Sequence, residues 1–419
     1  MKITNVGQVA QKGLCLGCGV CQDICPKKCV IINHVHTNTP IVDDDVCIEC
    51  SKCLKACAGI GIDINNRSEA LYGDCSSRYH QEIGRYQNCY SGYSSDYEIR
   101  CHSASGGCVS QFLIWLLEQR IIDGAIVTSF GKSDPMKPQP FIARTKDEIF
   151  SGRSSKYCAV SFDGIISEIM QFPGRYVLVG LPCHIQAFRK ASDVCYQIKE
   201  RVIGYFSIYC STNKNVLSQD YLIYRYHVDK SRLDSFTYRD EGCPGSMYFR
   251  DKNGDTIVPP IDYMSYYFGL RSFFSMPRCS LCNDYYGELA DVCFGDLDVG
   301  QYREDKIGVN SIVTRSKHWD SLINRCKVEG CLELDKISEE TLLSAQRYCE
   351  KSKKGEGFYA SMKMRKMLGQ SVPEYDNLLP ISPGWKALLR AFVTSAARFI
   401  GNHRCLWFII KFLDKDKRK

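Results

Sequence analysis

At 419 residues the chain is too long for one hydrophobic core and long enough for two or three domains. Its net charge of +7 would suit a nucleic-acid partner, but the nine cations and two carboxylates from Pro380 onward account for all of it. The rest of the chain is neutral and carries no zinc finger, helix-turn-helix or RNA-binding motif, so a nucleic-acid role for the globular part loses its support. The 25 cysteines exceed what packing requires. The opening MKITNVGQVAQKG lacks the apolar core and small-residue cleavage site of a secretory signal, which argues for a reducing cytosol and against disulfides.

The first element in chain order is a cysteine segment from Cys15 to Cys57. It reads CLGCGVCQDICP and, after a spacer, CIECSKCLKAC, so the pattern C-x2-C-x2-C-x3-C occurs twice. Three thiolates two residues apart wrap one iron-sulfide cubane, and the fourth reaches across to the other. The spacing therefore predicts two 4Fe-4S clusters, one on Cys15, Cys18, Cys21 and Cys57, the other on Cys47, Cys50, Cys53 and Cys25. A zinc reading fits poorly, because zinc sites use two pairs of ligands and not crowded triplets. The segment resembles the bacterial two-cluster ferredoxins, with one departure: Pro26 follows Cys25, but Ala58 follows Cys57.

From 67 to 94 the chain is polar, then tyrosine-rich, with weak periodicity, and reads as a connector without regular elements of its own. At Arg100 the texture changes to RCHSASGGCVSQFLIWLLEQRIIDGAIVTSF. Gly106 and Gly107 precede a helix showing Val109, Phe112, Leu113, Leu116 and Leu117, and Ala125 to Phe130 reads as a strand. A Ser/Gly turn opening onto a helix suits an anion, although an ordinary helix start looks the same in sequence. The loop Ser151 to Ser161 adds Arg153, Ser155 and Lys156.

Tyr176 to Val179 suits a strand buried on both faces. It stops at Gly180-Leu181-Pro182-Cys183 before the helix-like HIQAFRKA, and a second run, Arg201 to Tyr209, ends in Cys210. If this is a strand-helix-strand unit, both cysteines lie at the carboxyl ends of parallel strands, where ligand sites collect. Cys279 and Cys282 follow at C-x2-C spacing, and ADVCFG reads as a strand ending at Asp296. Cys183, Cys210, Cys279 and Cys282 thus make a third candidate tetrad, for 4Fe-4S or zinc, with Cys243 or Cys293 able to replace one member. Spacing alone does not separate the two metals; the upstream cluster motif tilts the choice to iron.

RCHSASGG, SSKY, VLVGLPCHIQAF, Cys210, RCSLCND, ADVCFGD and IGVNSIVTRS, in this order, resemble the beta-subunit family of coenzyme F420 hydrogenases and dehydrogenases over roughly residues 95–335. The resemblance implies an iron-sulfur flavoprotein oxidoreductase. FAD would pass electrons between 4Fe-4S clusters and a two-electron organic substrate, with the deazaflavin coenzyme F420 as one candidate. It also implies that Ser103, Ser105, Gly106 and Gly107 line the flavin phosphates, with Arg100, Arg153, Ser155 and Lys156 nearby and Asp296 close to the flavin. The four cysteines at 183, 210, 279 and 282 would hold the proximal cluster. Pro182-Cys183-His184, Cys210-Ser211-Thr212 and Gly295-Asp296-Leu297-Asp298 depart from the family pattern near the presumed substrate face; no catalytic residue is assigned, and no histidine receives a role.

The expected architecture is α+β or α/β: a small ferredoxin-like domain (1–66), a connector (67–94), a larger mixed α/β domain with a flavin-binding part (95–175) and a third-cluster part (176–335), and a helical C-terminal region (336–419). From Gly384 that region reads as a basic amphipathic helix, with Lys386, Arg390, Thr394 and Arg398 every fourth residue. It is too charged to span a bilayer, which suggests peripheral contact with the cytoplasmic face of a membrane. Two other readings remain at this stage: a flavin-free electron carrier docking a partner enzyme, and a scaffold whose clusters do not cycle. Partner and substrate are not legible.

Overall fold

The computed structural model describes residues 3–413 except 75, 132, 271, 377 and 379, and the side chains of all of these but 267–269 and 347–353. Its centre is an eight-stranded sheet. Across the sheet the strands are Leu332–Lys336, Asn88–Ser94, Asn310–Thr314, Val292–Asp296, Val202–Ile208, Tyr176–Gly180, Gly124–Phe130 and Pro138–Ala143. From Val292–Asp296 to Gly124–Phe130 neighbours run parallel; the flanking strands on both sides are antiparallel.

Side chains on a strand alternate between faces, and here both faces are covered. Val127, Val177, Phe206, Phe294 and Ile312 point into one core, where the helices Cys108–Glu118 and Lys317–Val328 supply Phe112, Trp115, Trp319 and Ile323. Their neighbours Ile126, Leu178, Tyr205, Cys293 and Val313 point into the other, packed by Ile166, Ile185 and Phe188. Phe112 stacks on Trp115 and Phe206 with ring centroids 5.9 and 5.5 Å away. Removing that ring would cost about 3–5 kcal/mol, as large-to-small core changes do. The helix Cys108–Glu118 is buried on nearly every side, which is why no clean polar face shows in its sequence.

One expectation fails. The segment read as a connector contains the helix Ile64–Tyr72, a short hairpin (Arg78–His80 with Gly84–Tyr86) and the interior strand Asn88–Ser94. That strand is buried on both faces, so the polar-apolar alternation that marks a strand in sequence is absent, and the Tyr90 hydroxyl that made it look polar donates to Asp320 at 2.9 Å. The cysteine segment keeps a small core of its own around Val6, Cys29 and Val30, but it is not separate from the sheet. Val20, Ile24, Ala56 and Ala58 share one hydrophobic cluster with Phe162, Ile185 and Phe188. Gly19, at φ +75°, lets the two parts approach: a Cβ there would lie 2.1 Å from the Ser161 hydroxyl.

A third core lies beyond the sheet, where the antiparallel strands Ser235–Asp240, Ser246–Arg250 and Ile261–Asp262 pack with the helix Leu217–Tyr226. The C-terminal region is helical as expected, over Glu339–Lys353, Glu356–Met367, Trp385–Asn402 and Trp407–Leu413. Among the described residues no helix is long and apolar enough to cross a membrane.

Candidate functional site

The cysteines of the N-terminal segment fall into two groups, each around its own recess. Cys15, Cys18, Cys21 and Cys57 line one. Cys25, Cys47, Cys50 and Cys53 line another, together with Cys29. The crossing of Cys57 and Cys25 into the opposite group is the interleaving that the spacing implies. Burial, with the nearby Cys57 adding to it, pushes the Cys15 thiol up to about 12. Burial likewise raises Cys18 and Cys21, with the other thiols of the group adding to it.

Cys29 was not singled out in the sequence, since it lies outside the two four-cysteine runs. Its Sγ stands 3.3 Å from that of Cys25. The short spacing Cys25-Pro26-Lys27-Lys28-Cys29 was the only signal available for it.

The third tetrad comes from three places in the fold. Cys183 sits in the first turn of the helix Pro182–Ser192, directly after a parallel strand; Cys210 follows the adjacent parallel strand; Cys279 and Cys282 flank the end of the 3-10 turn Pro277–Leu281. Burial drives the Cys183 thiol far above its ordinary value, and Cys210, Cys282, Cys279 and Cys18 all add to the rise. Those four neighbours define both the tetrad and its junction with the N-terminal set. The backbone N–H of Asn213 donates to Cys279 Sγ at 3.3 Å. Neither of the two reserve cysteines joins: Cys243 lies by Arg239, and Cys293 is close to the Gly287 carbonyl. Among the described residues no three His, Cys, Asp or Glu side chains are grouped for a single metal ion.

Between these groups lies a buried cation, Arg278. Its Nε donates to the Gly59 carbonyl at 3.0 Å, two residues beyond Cys57, and its Nη1 to the Leu281 carbonyl at 2.5 Å, beside Cys282. Nη2 donates to the Tyr375 hydroxyl at 2.8 Å. Its charge favours the thiolate of Cys15, and the Cys282 and Cys183 thiolates in turn favour the guanidinium. In sequence it was only the first letter of RCSLCND.

At the carboxyl edge of the parallel strands opens a cleft, and Cys210 is part of its wall. Thr128, Gly180, Ile208 and Asp296 each reach it from the end of a different parallel strand. Of the nine residues that the family resemblance brought forward, seven line it: Ser103, Ser105, Gly107, Arg153, Ser155, Lys156 and Asp296. Arg100 does not. Its guanidinium pairs with Asp305 at 2.5 Å and stacks on Tyr93, so it clamps a loop. Gly106 is also absent from the lining: a Cβ there would meet the Gly92 carbonyl at 2.7 Å, so its smallness serves close packing on the sheet.

Gly107 starts the long helix in the left-handed region, φ +75°. The hydroxyls beside it are already engaged, Ser103 donating to the Ile99 carbonyl and Ser105 to the Val309 carbonyl, at 2.6 and 2.9 Å. The Cys108 N–H is taken by Asn310 Oδ1 at 3.0 Å. Facing this turn, the Lys156 amine donates to the carbonyls of Gly152 and Arg153 at 2.7 and 2.5 Å. Burial lowers its pKa to about 7, with nearby Arg153 adding to the shift.

Three further cleft residues take no role from the sequence: Arg239 is not named there, Tyr157 stands only within SSKY, and His184 is named without a role. Arg239 is fully buried, with Nη1 2.8 Å from Asp296 Oδ2 and Nε donating to the Pro244 carbonyl at 2.7 Å. Tyr157, the last residue of SSKY, packs edge-on to Tyr238 and lines the cleft with Tyr263. His184 is buried, and burial takes its pKa down to about 4, so the ring is neutral. Its Nδ1 accepts from the Leu181 N–H at 3.2 Å, which leaves the ring proton on Nε2.

A mixed sheet whose four central strands run parallel, with a cleft at their carboxyl ends, is an open-sheet α/β arrangement of the kind in which ligand sites collect. Sequence models of the coenzyme F420 hydrogenase/dehydrogenase beta subunit match residues 89–167 (N-terminal model) and 174–340 (C-terminal model), and the chain belongs to that family. Coenzyme F420 hydrogenase subunit beta of Methanosarcina barkeri is 25% identical over 262 residues, 61% of this chain and 84% of that protein. The same subunit of Methanothermobacter thermautotrophicus is 25% identical over 61% of this chain and 87% of its own length. Coenzyme F420-dependent sulfite reductase of Methanocaldococcus jannaschii is 22% identical over 82% of this chain, which spans 51% of it. A chain of the F420-reducing [NiFe] hydrogenase complex from Methanosarcina barkeri shares the fold, with a TM-score of 0.55 and 20% identity over 70% of this chain and 98% of that one.

Proposed function

We propose that the chain is an iron-sulfur flavoprotein oxidoreductase that moves electrons between 4Fe-4S clusters and a two-electron organic substrate held beside FAD in the cleft. The observation that carries this reading is the place of Cys210, a member of the third tetrad that also lines the cleft. Cys183 of the same tetrad is in charge contact with Cys18. The thiols therefore form an unbroken series from the N-terminal segment to the cleft.

The donor sets fit cubanes. All are cysteine, each N-terminal set surrounds its own recess, and buried thiolates need the counter-charge that an iron-sulfide core supplies. The N-terminal ferredoxin-like unit (1–66), the flavin-binding part (95–175) and the third-cluster part (176–335) are the functional divisions we propose. Cys50 is exposed, which supports the outer set as the contact point for a one-electron partner protein.

The cleft suits a phosphate-bearing cofactor through the helix start at Gly107 and the cations Lys156 and Arg153. A bound flavin would supply the conversion between hydride transfer and single-electron transfer. Arg239 fixes the Asp296 carboxylate at the cleft wall. His184 stays neutral and keeps charge away from the Cys183 side. Relatives named for coenzyme F420 make a deazaflavin the first substrate to test.

An anaerobic ultraviolet-visible spectrum of the purified chain tests the proposal. Flavin bands over broad cluster absorption support it. Clusters without flavin would replace it with the electron-carrier reading, and a colourless, iron-free protein would end it.

A further inference from the structure

The C-terminal helix Trp385–Asn402 is docked the reverse of the usual way. Its buried residues are Ala387, Ala391, Arg398 and Gly401, while its large apolar side chains face outward. Gly401 sits so close to the body that a Cβ would meet the Phe273 carbonyl at 2.0 Å. Small residues let the helix lie flat on the protein, so the outer face is held in place.

That outer face is an apolar stripe. Trp385, Leu389, Phe392 and Phe399 follow the spacing i, i+4, i+7 and i+14, one side of a helix, and Trp385 is 69% exposed. The short helix Trp407–Leu413 continues it with Phe408 and with Phe412, which is 81% exposed. Trp407 anchors this second helix, buried against Tyr221 and Phe274. A contiguous exposed apolar surface of this kind marks an interaction site.

Charge decides the occupant. From Gly384 to Leu413 there is no aspartate or glutamate, and Lys386, Arg390 and Lys411 are exposed beside the stripe. Arg404 pairs with Asp220 at 2.6 Å, and Arg398 is buried near Ser280; neither adds to the outer charge. Apart from Glu356, which reaches the helix start at Gly384 from a neighbouring helix, the exposed charges beside the stripe are cations, and such a surface of aromatic side chains matches the headgroup layer of an anionic bilayer, where aromatic rings settle and basic residues meet lipid phosphates. We propose that this helical pair lays the protein on an anionic membrane surface, its apolar stripe inserted at headgroup depth and its small-residue face still packed on the body. The tail beyond the described residues adds Lys415, Lys417, Arg418 and Lys419 against Asp414 and Asp416.

Flotation of the full chain with vesicles of phosphatidylcholine and phosphatidylglycerol, compared with phosphatidylcholine alone, tests this. Truncation at Pro380 would be a poor probe, because it removes the buried Trp407 and Ile410. Substitutions on the exposed face leave the core untouched. The wild-type chain should float with anionic vesicles at low salt and be released by high salt. The pair Lys386→Gln and Arg390→Gln should weaken partition roughly thirty-fold, at about one unit of membrane attraction per basic residue. The pair Leu389→Gln and Phe392→Gln should also lose binding with an unchanged far-ultraviolet circular dichroism spectrum. Failure of the wild type to float, or equal flotation of wild type and both double variants, would overturn the proposal in favour of a protein-docking helix.

Discussion

The N-terminal cysteine segment and the cleft are built on opposite plans. In the first, eight of the nine thiols within 43 consecutive residues form the two groups, and two of them trade places between groups. In the second, the wall is drawn from residues as distant as Ser103, Lys156, Cys210, Arg239 and Asp296, brought together by the ends of parallel strands. A site encoded by spacing can be read from a short string; a site encoded by topology needs the sheet. The third tetrad is the hybrid, since Cys279 and Cys282 are a local pair and Cys183 and Cys210 meet through a strand-helix-strand unit.

The sharpest way to break this comparison is to remove one thiol from each kind of set. Cys183→Ala should abolish the third cluster and lower iron from about twelve to about eight atoms per chain, the difference of one cubane. Anaerobic iron and sulfide analysis checks it. A loss of one zinc with iron unchanged would make the topological site a different metal centre from the local ones. Cys18→Ala is less clean. Its neighbours Val20 and Ala56 belong to the same core as Phe162 and Phe188, so thermal stability of the whole chain should fall with the cluster.

Next in size is Gly107→Asp. This residue holds a left-handed conformation, and a Cβ would approach the Ile99 carbonyl to 3.0 Å, so the change strains the turn by about 1–3 kcal/mol and sets a negative charge where an anion should bind. Flavin should be lost while iron content stays. Full retention of flavin would move the phosphate site away from this helix start. Lys156→Gln, which keeps the backbone relaxed, separates lost charge from lost fold.

A smaller effect joins the two regions. Arg278 is hydrogen-bonded to the Gly59 and Leu281 carbonyls, between the Cys15 group and the third tetrad. Arg278→Gln removes one positive charge from both. At an effective dielectric of about 20 and a separation of about 8 Å this is about 2 kcal/mol, so the midpoint potentials of those two clusters should fall by roughly 50–100 mV. The outer cluster on Cys25, Cys47, Cys50 and Cys53 serves as the internal control. An electron paramagnetic resonance redox titration in which all three clusters keep their potentials would remove Arg278 from any tuning role.

What was legible follows from the same contrast. The interleaved exchange of Cys25 and Cys57, the parallel unit from Tyr176 to Ile208, and the two cysteines at its carboxyl ends all rest on spacing and burial pattern, and the structure contains each of these groupings. The strand Asn88–Ser94 was not legible, because an interior strand buried on both faces loses its period of two and Tyr90 donates a hydrogen bond invisible in sequence. Arg239 was hidden for a related reason: nothing in TYRDEG says that the arginine turns inward, and only its pairing with Asp296 across 57 residues reveals it. Arg100 misled in the other direction. It sits three residues before Ser103, yet its guanidinium is committed to Asp305 and the Gly308 carbonyl.

The smallest predicted effect is a pH dependence that belongs to the cleft alone. Burial lowers Lys156 from its ordinary 10.5 to about 7 in the ligand-free chain. Between those two values the unfolded chain binds the proton more tightly, so the stability of the ligand-free protein should rise as pH increases through that window. Anion binding has the opposite sign. A phosphate group favours the charged amine, so affinity for FAD should be level below pH about 7 and fall above it, by at most tenfold per pH unit. Titrating FAD into flavin-stripped protein across that range reads this directly. Lys156→Gln should flatten the curve at the weaker, high-pH affinity. A wild-type affinity that stays constant, or a slope that survives in Lys156→Gln, would assign the anion contact to Arg153 and the helix start instead. The N-terminal segment predicts no counterpart, because its thiols, once bound to iron, have no proton to exchange over the same range.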